Sequence, residues 1–222
     1  MEIIVKNRIP FKYLKTLVQS YAESWDWEFD GLSKFNYYVG ILYSLTDRQS
    51  KNHNFCCFAV ENNKCVGHIL AYVANKPKII HPVIRFINNV CSLLLILNKQ
   101  GRIAKRGYDL YLDFYEKAIG LGKLVIGGKQ NQKKISEGFS VSVDKSCRNR
   151  GIYRKMNEAL FDAVEGIFIL HTETCSVYQA HEALGFKHLF EVPYPNGIEG
   201  YSWGKSNSFV MYGSKENLYV RV

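Results

Sequence analysis

The run Gly138–Val143 alternates as a strand does, and it is followed by a basic turn and a helix-like run, Ile152–Val164. The turn reads Arg148-Asn-Arg-Gly151, so cations and a glycine stand where the helix begins. The first N–H groups of a helix lack backbone partners and lie at the positive end of its dipole. Gly151 lets the backbone come close to a bound ligand, where the Cβ of any other residue would block it. The unit predicts an α/β chain with an anion site suited to a pyrophosphate, or else a solvated basic loop.

The rest of the chain predicts a mixed α/β order, βααββ, an insertion, then βαβαββ. The clearest pair of strands is a hairpin, Phe55–Val60 and Cys65–Val73, joined by an Asn-containing turn. After the basic turn, apolar runs and glycines predict the remaining elements. These are a strand at 167–170, a helix at 176–184 and strands at 186–192 and 208–212.

Residues from about 76 to 135 interrupt this order and predict an inserted helical segment. Val83–Leu97 is apolar nearly all round, which suits a helix buried on several sides or a contact in a homodimer. A second, amphipathic helix is expected around Tyr108–Ile119, followed by a mobile glycine-rich connector to Lys134. The aromatic residues of the segment line a pocket or form plain core: Phe86, Tyr108, Tyr111, Phe114 and Tyr115. We expect one domain over residues 1–222, with this insertion.

All of the excess positive charge lies close to the basic turn. Residues 99–155 hold 14 Lys or Arg and 5 Asp or Glu, whereas the remaining residues hold 15 of each. A polyphosphate or a nucleic acid would suit such a cluster. The sequence has no zinc-finger, basic-zipper or RNA-recognition pattern. A phosphorylated small molecule therefore explains the clustering more economically, and no nucleic-acid partner is expected.

Cysteine spacing and hydropathy exclude two further classes. The six cysteines, at 56, 57, 65, 91, 147 and 175, have no metal-ligand spacing, and no secretory leader is visible. We therefore expect reduced thiols, no metal and a cytoplasmic location. The most apolar stretch, 79–97, is interrupted by polar residues. Its uninterrupted apolar part is too short to span a bilayer, which needs roughly 20 apolar residues.

Two motifs together resemble the GNAT superfamily of acetyl-CoA-dependent N-acetyltransferases. In that family a Gln/Arg-x-x-Gly-x-Gly/Ala turn holds the cofactor, and a helix ending in Leu-Gly-Phe forms the other wall. Here the turn is Arg148-x-x-Gly151, and the helix ends at Leu184-Gly185-Phe186. The resemblance covers residues 137–212 well and the 55–73 hairpin more loosely. It implies a mixed, mostly antiparallel central sheet flanked by helices, with the helical insertion after the first hairpin.

The resemblance also implies where acetyl-CoA, the acyl donor, would bind. Backbone groups of the strand would pair with the pantetheine arm, and backbone N–H groups of the turn would bind the pyrophosphate. The residues so implied are Val141, Ser142, Val143, Arg148, Asn149, Arg150, Gly151, Ile152, Tyr153 and Arg154. Tyr153 departs from the family pattern, which has Gly or Ala there, so its ring must point away from the turn.

Catalytic candidates come from the same comparison. In many members this helix ends in Tyr-x-x-Leu-Gly-Phe, and the tyrosine protonates the departing CoA thiolate. Here the position of that tyrosine is occupied by His181. Histidine or an ordered water could supply the proton near neutral pH, and Tyr178, one helical turn earlier, is a substitute candidate. Glu173 and Glu137 are the carboxylates nearest the expected cleft and are candidate bases for the amine. The alternative for His181 is a partly exposed helix residue that fills space beside the cofactor, and for each glutamate it is an exposed charge at the end of a strand.

The resemblance therefore implies an enzyme that moves an acetyl or short acyl group directly from acetyl-CoA to the amine of a small molecule or peptide. Two alternatives stay open. One is an acyl-CoA-binding or regulatory module of the same fold without turnover, which the unusual Tyr153 and His181 favour. The other is a basic nucleic-acid-binding protein, which the clustered charge permits.

Overall fold

The computed structural model describes residues 1–24, 32–51, 53–77, 82–131, 135–172, 175–193 and 207–215. These residues form seven strands and six α-helices in the predicted order. The strands are β1 Glu2–Lys6, β2 Phe55–Glu61, β3 Lys64–Tyr72, β4 Ser136–Val143, β5 Ile167–Thr172, β6 Lys187–Pro193 and β7 Asn207–Ser214. The helices are α1 Phe11–Ser24, α2 Lys34–Lys51, α3 Pro82–Ile96, α4 Lys99–Asn131, α5 Ile152–Ala163 and α6 Cys175–Ala183.

The strands form one sheet in the order β1-β2-β3-β4-β5-β7-β6. Every neighbouring pair is antiparallel except β4 and β5, which are parallel. This parallel pair is the place where the chain crosses over through a helix, α5, as a parallel connection requires. The predicted fold class, a mixed and mostly antiparallel sheet flanked by helices, is confirmed.

The sheet is covered on both faces. Along β2, Cys56, Phe58 and Val60 face one core, whereas Phe55, Cys57 and Ala59 face the other, as the two-residue period of a strand dictates. The first face carries α1 to α4, and the second carries α5 and α6. Burial on both sides explains why β2 reads as an almost continuous apolar run.

The segment predicted as an insertion contains α3 and α4, and α4 is longer than predicted. The glycine-rich connector expected from residue 120 is wrong, because α4 continues as a helix to Asn131. Gly122 explains the continuation: a Cβ there would meet Ile169 Cδ1 of β5 and lie 3.1 Å from Val210 Cγ1 of β7. The glycine lets the helix backbone lie directly on the sheet, a contact that offsets its low helix propensity.

Most aromatic residues of the insertion are core. Tyr108, Tyr111, Phe114 and Tyr115 are buried, so the plain-core alternative holds for these four, whereas Phe86 is 67% exposed. Tyr115 also donates a hydrogen bond from Oη to the carbonyl oxygen of Gly138 on β4, at 2.6 Å. The insertion is thus fastened to the first face of the sheet both by packing and by a polar contact.

No helix in the described part of the chain combines the length and the apolar character needed to cross a membrane. The cysteines whose side chains are described, Cys56, Cys57, Cys65, Cys91 and Cys147, are free and buried. Within the same residues, no group of three His, Cys, Asp or Glu side chains is arranged to hold a metal ion.

Candidate functional site

The sheet opens between β4 and β5. These strands pair only at Ser136–Phe168, Glu137–Ile169 and Gly138–Leu170. Beyond Gly138, β4 continues alongside β3 as far as Val143, while β5 continues alongside β7. Among the described residues, the β5-facing edge of β4 from Phe139 to Ser142 therefore has no strand partner. An extended chain that carries amide groups could pair with such an edge as an added strand.

The turn after β4 is held in shape by its own side chains. The Asp144 carboxylate accepts hydrogen bonds from the Ser146 backbone N–H at 2.9 Å and from its hydroxyl at 2.6 Å. Asn149 and Gly151 then adopt left-handed backbone, with φ of 60° and 73°. Asparagine and glycine are the residues that tolerate this conformation, which turns the chain sharply into α5.

The N-terminus of α5 carries unsatisfied donors. Gly151 is the N-cap and provides no side-chain hydrogen bond, and the first backbone bond runs from Lys155 N–H to the Gly151 carbonyl at 3.1 Å. In the described residues, the N–H groups of Ile152, Tyr153 and Arg154 have no acceptor. These donors lie at the positive end of the helix dipole, directly after the open edge of β4. The arrangement is that of an anion site.

The cations of the turn do not all face this site. Arg150 donates from Nη1 and Nη2 to the two carboxylate oxygens of Glu61 on β2, at 3.0 and 2.6 Å. These hydrogen bonds hold the pKa of the Glu61 carboxyl below its usual range. Arg148 donates from Nε to the Val143 carbonyl at 3.3 Å, and Arg154 pairs with Glu158 at 3.5 Å. Because Arg150 is bound to Glu61, an anion at this turn would be bound by backbone N–H groups and not by the Arg150 guanidinium.

Tyr153 and His181 meet across the space between α5 and α6. The Tyr153 ring is half-buried, and its hydroxyl contacts Nδ1 of His181 in a short hydrogen bond. His181 is 3% exposed and also packs on Phe186, with ring centroids 5.1 Å apart. Burial lowers the pKa of His181 to about 3 and raises that of the Tyr153 phenol. At neutral pH His181 is an uncharged imidazole.

Tyr178 faces elsewhere. Its ring lies against His188 of β6 and Phe209 of β7, with ring centroids 5.9 and 4.9 Å away. These residues help to line a surface groove of about 460 Å³. Tyr178 and His181 therefore have separate sets of neighbours, although they are one helical turn apart.

Of the two candidate bases, only Glu137 lies in the described part of the chain. Glu137 is buried on β4 and forms an ion pair with Lys123 of α4, with Nζ and Oε2 2.5 Å apart. The Glu137 carboxylate is therefore occupied by the ion pair that joins α4 to the sheet. Glu173 lies outside the described residues, so its role stays a prediction.

Several solved structures have the same arrangement of strands and helices as this chain. Three of them are a GNAT-family protein from Desulfovibrio desulfuricans, a polyamine N-acetyltransferase from Drosophila melanogaster and an aminoglycoside 6′-N-acetyltransferase complexed with coenzyme A. Their TM-scores are 0.52, 0.51 and 0.51, and they are 6%, 10% and 12% identical in sequence. Each alignment covers 96% of this chain and, in turn, 99%, 100% and 96% of the solved one.

The chain has the GNAT acetyltransferase fold. No protein-family model matches the sequence, and no curated protein sequence is similar to it. The likeness is therefore one of backbone architecture.

Sequence reasoning did not find two contacts of the site. Arg150 and Glu61 are separated by 89 positions, and Tyr153 and His181 by 28, so no local pattern joins them. One signal was available for the second pair. Both residues depart from the motif that the sequence resembles, so both positions could have been singled out before their contact was known.

Proposed function

We propose that the chain is an N-acyltransferase that moves an acetyl or short acyl group from acetyl-CoA to a primary amine. The observation that carries the proposal is the junction of an open strand edge on β4 with an unsatisfied helix N-terminus on α5. The first suits the amide-bearing pantetheine arm, and the second suits the pyrophosphate. A single ligand containing both groups in that order fits both features at once.

In this proposal, backbone groups of Val141, Ser142 and Val143 bind the pantetheine arm. Backbone N–H groups from Asn149 to Arg154 bind the pyrophosphate, with Gly151 allowing close approach. Arg150 supports the turn through Glu61 instead of contacting phosphate. Acetyl-CoA supplies an activated thioester, and the protein holds the amine beside it, so much of the rate comes from orientation.

Two proton movements accompany the transfer: the amine loses a proton, and the departing thiolate gains one. We assign the first to Glu173 and the support of the second to His181, with Tyr178 as the substitute donor. If the Tyr153 hydroxyl donates to Nδ1 of His181, the ring proton must lie on Nε2. A neutral His181 can then donate a hydrogen bond from that N–H to the departing thiolate, which takes its proton from an ordered water, and Tyr153 is the positioning residue that fixes the tautomer.

Replacing Tyr153 with Phe keeps the ring but removes the hydroxyl that orients His181. We expect kcat to fall about tenfold while KM for acetyl-CoA changes less than about twofold, because the loss affects the proton transfer more than binding. Steady-state kinetics against pH provide the check. Since burial keeps His181 neutral, no change in rate attributable to it is expected near its ordinary pKa of about 6.5.

Tyr178→Phe is the comparison variant, because it removes a phenol one turn earlier on α6 with different neighbours. A larger kcat loss in Tyr178→Phe than in Tyr153→Phe would place the proton donor at Tyr178. Equal melting temperatures in the two variants would exclude a difference in folding as the reason.

Thermal stabilisation by ligands tests the proposal as a whole. Acetyl-CoA at about 100 times its dissociation constant should raise the free energy of unfolding by about 2.7 kcal/mol, and ATP should act much more weakly. A panel of polyamines, amino sugars and peptides should then release free CoA thiol with at least one acceptor. An absence of stabilisation by every CoA species, together with salt-dependent binding of DNA or RNA, would favour the nucleic-acid alternative.

A binding module without turnover is the second candidate. The close contact between Tyr153 and His181 favours it, because this contact takes up space between α5 and α6 and buries the proposed donor. That candidate expects the same stabilisation by acetyl-CoA but no thiol release with any amine. The two readouts together separate the candidates.

A further inference from the structure

Helix α3 exposes an apolar stripe. Its members recur at alternating intervals of three and four positions, so they lie on one side of the helix within about 80° of arc. They are Val83, Phe86, Val90 and Leu93 of α3 and Leu97, which directly follows its last residue, and they are 47%, 67%, 38%, 54% and 68% exposed. Single exposed apolar side chains are ordinary, but a continuous row of five indicates a contact surface. We call this row the α3 stripe.

The opposite side of α3 is already occupied by the protein. Ile84, Cys91 and Leu95 are buried there, and Asn88 donates from Nδ2 to the Tyr43 carbonyl of α2 at 3.0 Å. The helix is thus fixed to the fold by one face, and the α3 stripe points away from it. No described segment of the chain covers the stripe.

The surroundings of the stripe are basic. No acidic residue occurs between Glu61 and Asp109, whereas Arg85, Lys99, Arg102 and Arg106 are exposed. Arg102 donates from Nη1 to the Ile96 carbonyl at 3.1 Å, which places its charge at the C-terminal end of the stripe. Arg85, Lys99 and Arg106 form no ion pair within the described residues. Their charges are therefore available to a partner.

We propose that α3 docks the protein on the surface of a bilayer that contains anionic phospholipids. The α3 stripe would enter the boundary between headgroups and acyl chains, and the four cations would contact lipid phosphates. A second copy of the chain suits this surface less well, since a two-fold contact would bring the exposed cations Arg85, Lys99 and Arg102 of both copies together. The proposal does not depend on acyl transfer.

Vesicle flotation of the full chain tests the proposal. Wild type should float with vesicles of phosphatidylcholine mixed with phosphatidylglycerol, and much less with phosphatidylcholine alone. Phe86→Ser combined with Leu93→Ser should lower the partition coefficient tenfold or more, because both apolar side chains leave the stripe. Lys99→Gln and Arg106→Gln should each lower it about fivefold, and added salt should weaken wild-type binding.

Leu121→Ser combined with Val125→Ser is the matched control, because both side chains are exposed apolar groups on α4, outside the stripe, 49% and 58% exposed. This control should float as wild type does. Equal binding to neutral and anionic vesicles, or equal losses in the stripe and control variants, would overturn the proposal. So would a wild type that does not float and sediments as a dimer which Phe86→Ser with Leu93→Ser converts to a monomer.

Discussion

Replacing Gly151 with Asp is expected to weaken acetyl-CoA binding about 100-fold, or about 2.7 kcal/mol, while the fold is retained. Gly151 has φ of 73°, and no atom lies within 4 Å of the position where a Cβ would stand. Asp is among the residues that tolerate this backbone, so the substitution creates little strain. Its carboxylate would accept hydrogen bonds from the free N–H groups of α5 and place a negative charge where the pyrophosphate binds.

Gly151→Asn is the matched variant, since it has the same shape and the same tolerance of left-handed backbone without the charge. Isothermal titration with acetyl-CoA would measure both, alongside the melting temperatures of the free proteins. The Asn variant should lose less affinity than the Asp variant, and the difference gives the electrostatic part. Wild-type affinity in Gly151→Asp would mean that the α5 N-terminus does not bind the phosphates.

Replacing Gly122 with Leu should destabilise the protein by about 3 kcal/mol. The new side chain would overlap Ile169 and Val210, which lie directly beneath the α4 backbone. Overpacking of a filled core usually costs about 1 to 3 kcal/mol, and here the whole helix must move to relieve it. Urea denaturation, with equal m-values in variant and wild type, would measure the loss.

Gly120→Leu is a control within the same helix. A Cβ at Gly120 meets no atom within 4 Å, and leucine forms helix better than glycine by about 0.5 to 1 kcal/mol. This variant should therefore be as stable as wild type or slightly more stable. Similar losses in the two variants would contradict the packing of α4 against β5 and β7.

The sequence predicted those parts of the fold whose signal is local. The hairpin of β2 and β3 has apolar strands around Asn62 and Asn63, which adopt left-handed backbone, and the start of α5 follows a glycine. The hairpin and the start of α5 are both determined by residues that lie close together in the sequence. The opening between β4 and β5 was not predicted, because nothing in the composition of either strand reveals where their pairing stops.

The extent of α4 could not be predicted because the decisive contact is distant. The glycines from residue 120 onward indicate a flexible connector when only neighbours are considered. Gly122 instead meets Ile169, 47 positions later, and the helix continues. The partner of Arg150 was missed for the same reason, since Glu61 belongs to the first hairpin.

The long helix α4 has a mechanical consequence for the opening in the sheet. It is tied to β4 through Tyr115 and Gly138 and through Lys123 and Glu137, and it rests on β5 through Gly122 and Ile169. It therefore braces the last paired residues of β4 and β5, Glu137 to Gly138 and Ile169, directly before the strands separate. Packing within the protein thus sets the opening between β4 and β5, so a ligand that binds there would need to rearrange the sheet little.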